Sequence, residues 1–202
     1  MRKTLTIWLI GVAVGFFLGW LASSYSYTSS SHAPPAPMGY NATDAPLRVY
    51  FSPSPEPERA IIQTLQSAQK FVHAALYQLT DPEIADALIE IAKRGIELKI
   101  LLDDEPSKGS KGCLLWSAGI PVKQYVDSGI MHHKFAVVDG ERVITGSYNW
   151  TTSAQTRNEE NLLVIESPEL AQAFESEFSK LWTHKKAQAL TRADCARSSS
   201  EE

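Results

Sequence analysis

The sequence predicts an α/β fold, a mixed β-sheet flanked by helices, preceded by an N-terminal transmembrane or signal helix. Three observations carry this reading. From residue 47 onward short β-rich runs alternate with longer helix-like stretches in βαβα order. Two later β-rich runs are separated by Asp139-Gly140-Glu141, a hairpin signal that adds antiparallel strands. Ahead of both, residues 5–22 are apolar except for Thr6, about the ~20 residues a helix needs to cross a bilayer.

Each element has its own signal. Strands are expected at 48–51 and 72–79, with a helix at 58–70 between them. Asp81-Pro82 supplies a cap and an N1 proline for a helix over 82–94, whose Ile84, Leu88 and Ile91 keep helical spacing and which Gly95 stops. A strand at 96–102 leads into a polar loop over 103–112 and a short helix near 114–118. Further strands follow at 122–126, 135–138, 142–145 and 161–165, and then an amphipathic helix over 168–185 carries Leu170, Phe174, Phe178 and Leu181. No internal repeat is visible.

The expected organisation is therefore an anchor or signal segment (1–22), a Ser/Pro/Tyr/Ala-rich linker (23–46), one catalytic domain (47–186) and a polar tail (187–202). Arg2 and Lys3 precede the apolar run and no basic residue follows it before Arg48, which places the domain on the extracytoplasmic side, periplasmic in a bacterium. The length of the run favours an uncleaved anchor over a cleaved signal, after which the domain would be secreted or periplasmic. Gly11, Gly15 and Gly19 line one face of that helix and would let two copies approach closely. The net charge of -4 excludes a protein that coats nucleic acid by bulk positive charge, although a local basic groove is invisible to that sum. Cys113 and Cys195 are too few for a disulfide scaffold or a four-cysteine zinc site and read as incidental, with one optional disulfide.

The chemistry concentrates in two adjacent segments. His132, Lys134 and Asp139 form His-x-Lys-x-x-x-x-Asp, and residues two apart in a strand point to the same side. This sets a nucleophile or proton carrier beside a permanent cation, which attack on a phosphodiester requires because oxygen charge grows in the transition state. Just after the next strand, Gly146-Ser147-Tyr148-Asn149 presents a hydroxyl and an amide able to donate to phosphate oxygens.

These residues resemble the phospholipase D superfamily, whose signature joins His-x-Lys-x-x-x-x-Asp to a following Gly-Ser-x-Asn. The segment Asn158-Glu159-Glu160-Asn161 looks like the family's downstream Asn-x-Glu-Asn. The resemblance implies that His132 attacks phosphorus to form a phosphohistidine, that Lys134, Ser147 and Asn149 hold phosphate oxygens, and that Glu160 orients His132. Asp139 completes the catalytic set and would orient or cap. No metal or other cofactor is implied. Family enzymes use two such motifs and this chain carries one, so the resemblance implies a homodimer whose active site is shared between protomers.

Other candidates have plainer explanations. His133 should face away from His132 in a strand, His73 reads as a sheet histidine and His184 as a surface residue. Tyr148 and Trp150 are either base-stacking or core aromatics, and Lys108, Lys111 and Arg157 either a phosphate-tracking rim or solvated surface. For the substrate, nucleic acid cleaved by a nonspecific endonuclease is favoured over membrane phospholipid cleaved by a phospholipase D or cardiolipin hydrolase. The absence of a cysteine-rich zinc insertion points to the bacterial nuclease-like group, whereas the anchor leans toward the membrane.

Overall fold

β5 (Lys134–Val138) lies in the middle of the sheet and is buried along its whole length. The computed structural model describes residues 46–103 and 109–198; the anchor, Lys108 and all of the linker but its last residue lie outside these. The described elements run β1 (Leu47–Ser52), α1 (Glu56–Gln66), β2 (Phe71–Leu76), α2 (Pro82–Lys93), β3 (Glu97–Asp103), α3 (Gly112–Ser117) and β4 (Val122–Tyr125). After β5 come β6 (Arg142–Gly146), α4 (Thr152–Thr156), β7 (Glu160–Glu166), α5 (Pro168–Thr183), β8 (Ala187–Ala189) and α6 (Arg192–Ser198).

The eight strands form one mixed sheet in the order β1-β7-β6-β5-β2-β3-β4-β8. β2, β3 and β4 are parallel, joined by crossovers through α2 and α3, whereas β5 is antiparallel to β2 and β5, β6 and β7 form a meander. Side-chain alternation divides the core between two faces. Ala136 and Val138 of β5 join the cluster that holds Ile61 and Leu65 of α1, Ile84 and Leu88 of α2, and Leu115 of α3. Phe135 and Val137 point the other way, into the cluster closed by Ala171, Phe178 and Leu181 of α5.

Local chemistry starts the helices where the sequence predicts. The Asp81 carboxylate accepts from Glu83 N and Ile84 N, at 3.0 and 3.2 Å, and caps α2. Ser167 caps α5 by accepting from Leu170 N at 3.3 Å. Gly95 (φ 83°) follows α2 in the left-handed region.

Past Lys186 the structure differs from the expected tail. β8 pairs antiparallel with the β4 edge, α6 follows, and Cys195 on α6 forms a disulfide with Cys113 on α3. The two cysteines, read as incidental with one optional disulfide, thus tie together segments 82 residues apart, which constrains the unfolded chain by about 4.5 kcal/mol. Nothing in their spacing announces the pair; β8 brings them together.

The β5–β6 turn holds a second difference. Asp139 (φ 60°) and Gly140 (φ 72°) are both left-handed, as a tight hairpin turn requires. The Asp139 carboxylate accepts from the backbone N–H groups of Gln69, Lys70 and Phe71 and from the Arg142 guanidinium. Burial works against its charge, but these donors outweigh burial and hold the carboxyl below the usual carboxylate range. A depressed folded pKa adds stability above the ordinary carboxylate pKa, and this stability is lost as pH falls below about 4. Asp139→Ala is expected to destabilise the fold by about 3 kcal/mol. In a thermal melt at neutral pH this lowers Tm by about 6–12 °C, while the specific activity of the folded fraction stays within a few-fold of wild type.

Candidate active site

His132, Lys134, Ser147, Asn149 and Glu160 gather at the carboxyl ends of the parallel strands β2 and β3, the end of an open sheet where loops diverge and ligands bind. Antiparallel pairing brings the start of β5, the end of β6 and the start of β7 to that same end. His132 stands just ahead of β5, exposed, with its ring centroid 4.5 Å from that of Tyr77, which follows β2. The backbone around it is held from both strands. Tyr77 N donates to His133 O at 2.6 Å, and Met131 N donates to Asp103 Oδ2 at 2.6 Å.

Lys134 is the first residue of β5, and only 8% of its surface is exposed. Its ammonium donates to His132 O at 2.8 Å and lies 4.9 Å from the centroid of the Tyr77 ring. The cation therefore holds the backbone of His132, and because His132 lies ahead of β5 the same-face argument for a strand does not apply to the pair. Burial lowers the lysine pKa, and the charges of Glu160 and Asp103 oppose that shift.

Gly146 ends β6 where no side chain fits: its φ is 142°, and a Cβ there would lie 2.3 Å from Asn161 O. The close approach lets Ser147 N and Tyr148 N both donate to Asn161 O. Ser147 Oγ donates to Glu160 Oε2 at 2.6 Å and accepts from Asn161 N at 3.1 Å. The following loop docks on the start of α2, where Thr80 N and Asp81 N donate to Trp150 O. Tyr148 and Trp150 are fully buried and belong to the core beneath the site rather than to a stacking surface. The Asn149 side-chain oxygen, an acceptor, is buried without a hydrogen-bond partner among the described residues.

The structure thus brings together His132, Lys134, Ser147, Asn149 and Glu160. Two expected roles change. Glu160 bonds Ser147 and Asn158, and no hydrogen bond or ion pair joins it to His132. Asp139 stands at the opposite end of β5, about 17 Å from Lys134 across a five-residue strand, where it caps backbone N–H groups at the hairpin, the capping half of its expected role, away from the other site residues. Sequence reasoning missed Tyr77 and Asp103. Each directly follows or ends a parallel strand, and that position is the only signal that would have pointed to them. His73 lies elsewhere, on the α5 face, with its Nδ1 2.8 Å from Glu175 and its ring stacked on Phe178. His133 packs edge-on against Phe135.

An exposed imidazole, a cation on the same aromatic ring and hydroxyl and amide groups at one sheet end suit nucleophilic attack on an anionic ester. Comparison with known proteins agrees. Residues 61–182 match the family model described as cardiolipin synthase, PLD-like domain. The chain is 34% identical over 143 residues to the mitochondrial cardiolipin hydrolase of Xenopus laevis, with 68% of each chain covered. It is 30% identical over 181 residues to a phospholipase D of Rickettsia prowazekii, covering 82% of this chain and 85% of that one. Among solved structures, the phospholipase D family member Nuc from Salmonella typhimurium superposes with a TM-score of 0.66 at 29% identity, covering 73% of this chain and 99% of Nuc. With a family match over more than half its length and the signature residues assembled at one sheet end, this chain belongs to the phospholipase D superfamily of phosphodiester hydrolases.

Proposed function

We propose that the protein is an endonuclease-type phosphodiesterase that works through a covalent phosphohistidine on His132 in a site completed by a second copy of the chain. The observation that carries this reading is that the exposed His132 imidazole and the Lys134 ammonium both lie against the Tyr77 ring, 4.5 and 4.9 Å from its centroid. In the first step a His132 nitrogen bonds to phosphorus and the bond to the leaving oxygen breaks, with the partner's His132 giving that oxygen a proton. In the second step water attacks phosphorus and passes a proton to the partner's His132, and the His132–phosphorus bond breaks. Lys134, Ser147 and Asn149 hold the oxygens whose charge grows in both transition states. No step requires a metal.

The need for a second copy has support beyond the single motif. Leu47, Val49 and Phe51 form an apolar stripe on the edge strand β1, exposed by 52, 48 and 67%, and Ile165 and Leu163 continue it across β7. A contiguous apolar sheet face is a surface that association buries. The stripe runs to the catalytic end of the sheet, where Ser52 pairs with Glu160.

Nucleic acid is the favoured substrate, supported by the exposed Arg157 near the site, a cation able to track a phosphate backbone. A second reading, a membrane phospholipid, is favoured by a different observation: Val126 and Ile130, on the segment leading to His132, are exposed by 40 and 59% and would suit an acyl surface. For location, the Cys113–Cys195 disulfide suits an oxidising compartment and supports an extracytoplasmic domain held by the N-terminal segment. Among the described residues no helix is long and apolar enough to cross a membrane, and the expected anchor lies outside them.

The full-length protein should cleave plasmid and single-stranded DNA with chelator present, more readily than cardiolipin or phosphatidylcholine vesicles. His132→Ala should lower that rate by at least about 1000-fold. Preference for either lipid would move the substrate to the second reading, and an active His132→Ala would remove the proposed nucleophile. Replacing both Val49 and Phe51 by Asp should yield folded monomers by sedimentation with activity reduced at least about ten-fold, since an unpaired site lacks its second histidine. A fully active monomer would contradict the shared site.

A further inference from the structure

Asp103 ends β3 as a carboxylate with 4% of its surface exposed, far from any requirement of the sheet itself. A buried carboxylate costs free energy unless its bonds compensate, and here one bond goes to a single informative place, Met131 N–H at 2.6 Å. Met131 is itself 4% exposed, with its side chain in the α5-side cluster beside Phe135 and Leu101. The residue before His132 is therefore fixed twice, by its side chain in the core and by its amide on Asp103. The residue after His132 is fixed through His133 O, which accepts from Tyr77 N at 2.6 Å. His132 between them has its side chain exposed and set against the Tyr77 ring, whereas the exposed His133 turns toward Phe135.

We infer that Asp103 is a positioning residue for the reaction: it clamps the backbone immediately before His132 so that the imidazole is presented beside Lys134 at the sheet end. This rests on the phosphodiesterase reading of the site and adds to it a residue outside the signature. The clamp works through an acceptor oxygen on a fixed strand. Its loss frees the His132 backbone to shift, and a shift of about 1 Å at a nucleophile costs up to ~100-fold in rate. Asparagine keeps an acceptor oxygen at the same place, whereas alanine removes it.

The test compares full-length wild type, Asp103→Asn and Asp103→Ala on bis(4-nitrophenyl) phosphate, together with hydrogen exchange of the peptide containing Met131. Asp103→Ala should lower kcat about 30-fold with KM within about two-fold, while Asp103→Asn stays within about three-fold of wild type. The Met131 amide should lose protection in the alanine variant and keep it in the asparagine variant, a readout that needs no substrate. A folded Asp103→Ala with wild-type kcat, a loss that only follows the folded fraction, unchanged Met131 protection, or an asparagine variant no better than alanine would each overturn the clamp. A wild-type protein unable to hydrolyse any phosphodiester would overturn the phosphodiesterase reading instead, and hydrogen exchange would then decide the clamp by itself.

Discussion

β5 is a fully buried central strand whose two ends are each secured by a buried carboxylate accepting backbone N–H groups. At the turn end Asp139 gathers the amides of Gln69, Lys70 and Phe71, which fixes the register of β5 against β2. At the catalytic end Asp103 takes the Met131 amide. A one-residue slip of this strand would exchange Phe135 and Val137 with Ala136 and Val138 between the two core faces. It would also turn Lys134 away from Tyr77. The stability of the sheet and the aim of the catalytic residues therefore depend on the same register.

The polar groups of the site form a second constraint, which acts from the neighbouring strands. Gly146 permits β6 to approach β7 so closely that Ser147 bonds both Glu160 and the Asn161 amide. Beneath that loop Asp81 caps α2, and Glu58 sits close to it; burial and the Asp81 and Glu83 charges push the Glu58 carboxyl up. Lys134 faces the opposite pull, since burial disfavours its charge while Glu160 and Asp103 retain it. Of these two charges that of Glu160 acts more strongly, and the same carboxylate orients the Ser147 hydroxyl.

Much of this was legible in the sequence because it is local. The apolar run over 135–138, the Asp81-Pro82 start and the hairpin glycine predict elements that the structure contains. The His-x-Lys pair is legible as a local motif, although His132 lies ahead of the strand and Lys134 reaches its backbone oxygen. The same reasoning should have removed Asp139 from the site, because a spacing of five from Lys134 in extended chain spans about 17 Å. What could not be read is non-local. Asp103 reaches Met131 across 28 residues, Glu160 chooses Ser147 rather than His132, and Cys113 meets Cys195 only because β8 adds to the β4 edge. None of these partners has a periodicity or spacing that sequence alone carries.

The proposed chemistry stands or falls on a covalent bond to one nitrogen. The direct measurement is mass spectrometry of the protein quenched in alkali during turnover of a short phosphodiester substrate. The account predicts an acid-labile, alkali-stable phosphoryl adduct on the peptide containing His132, absent from His132→Asn. Turnover without an adduct, or an adduct on another residue, would contradict it.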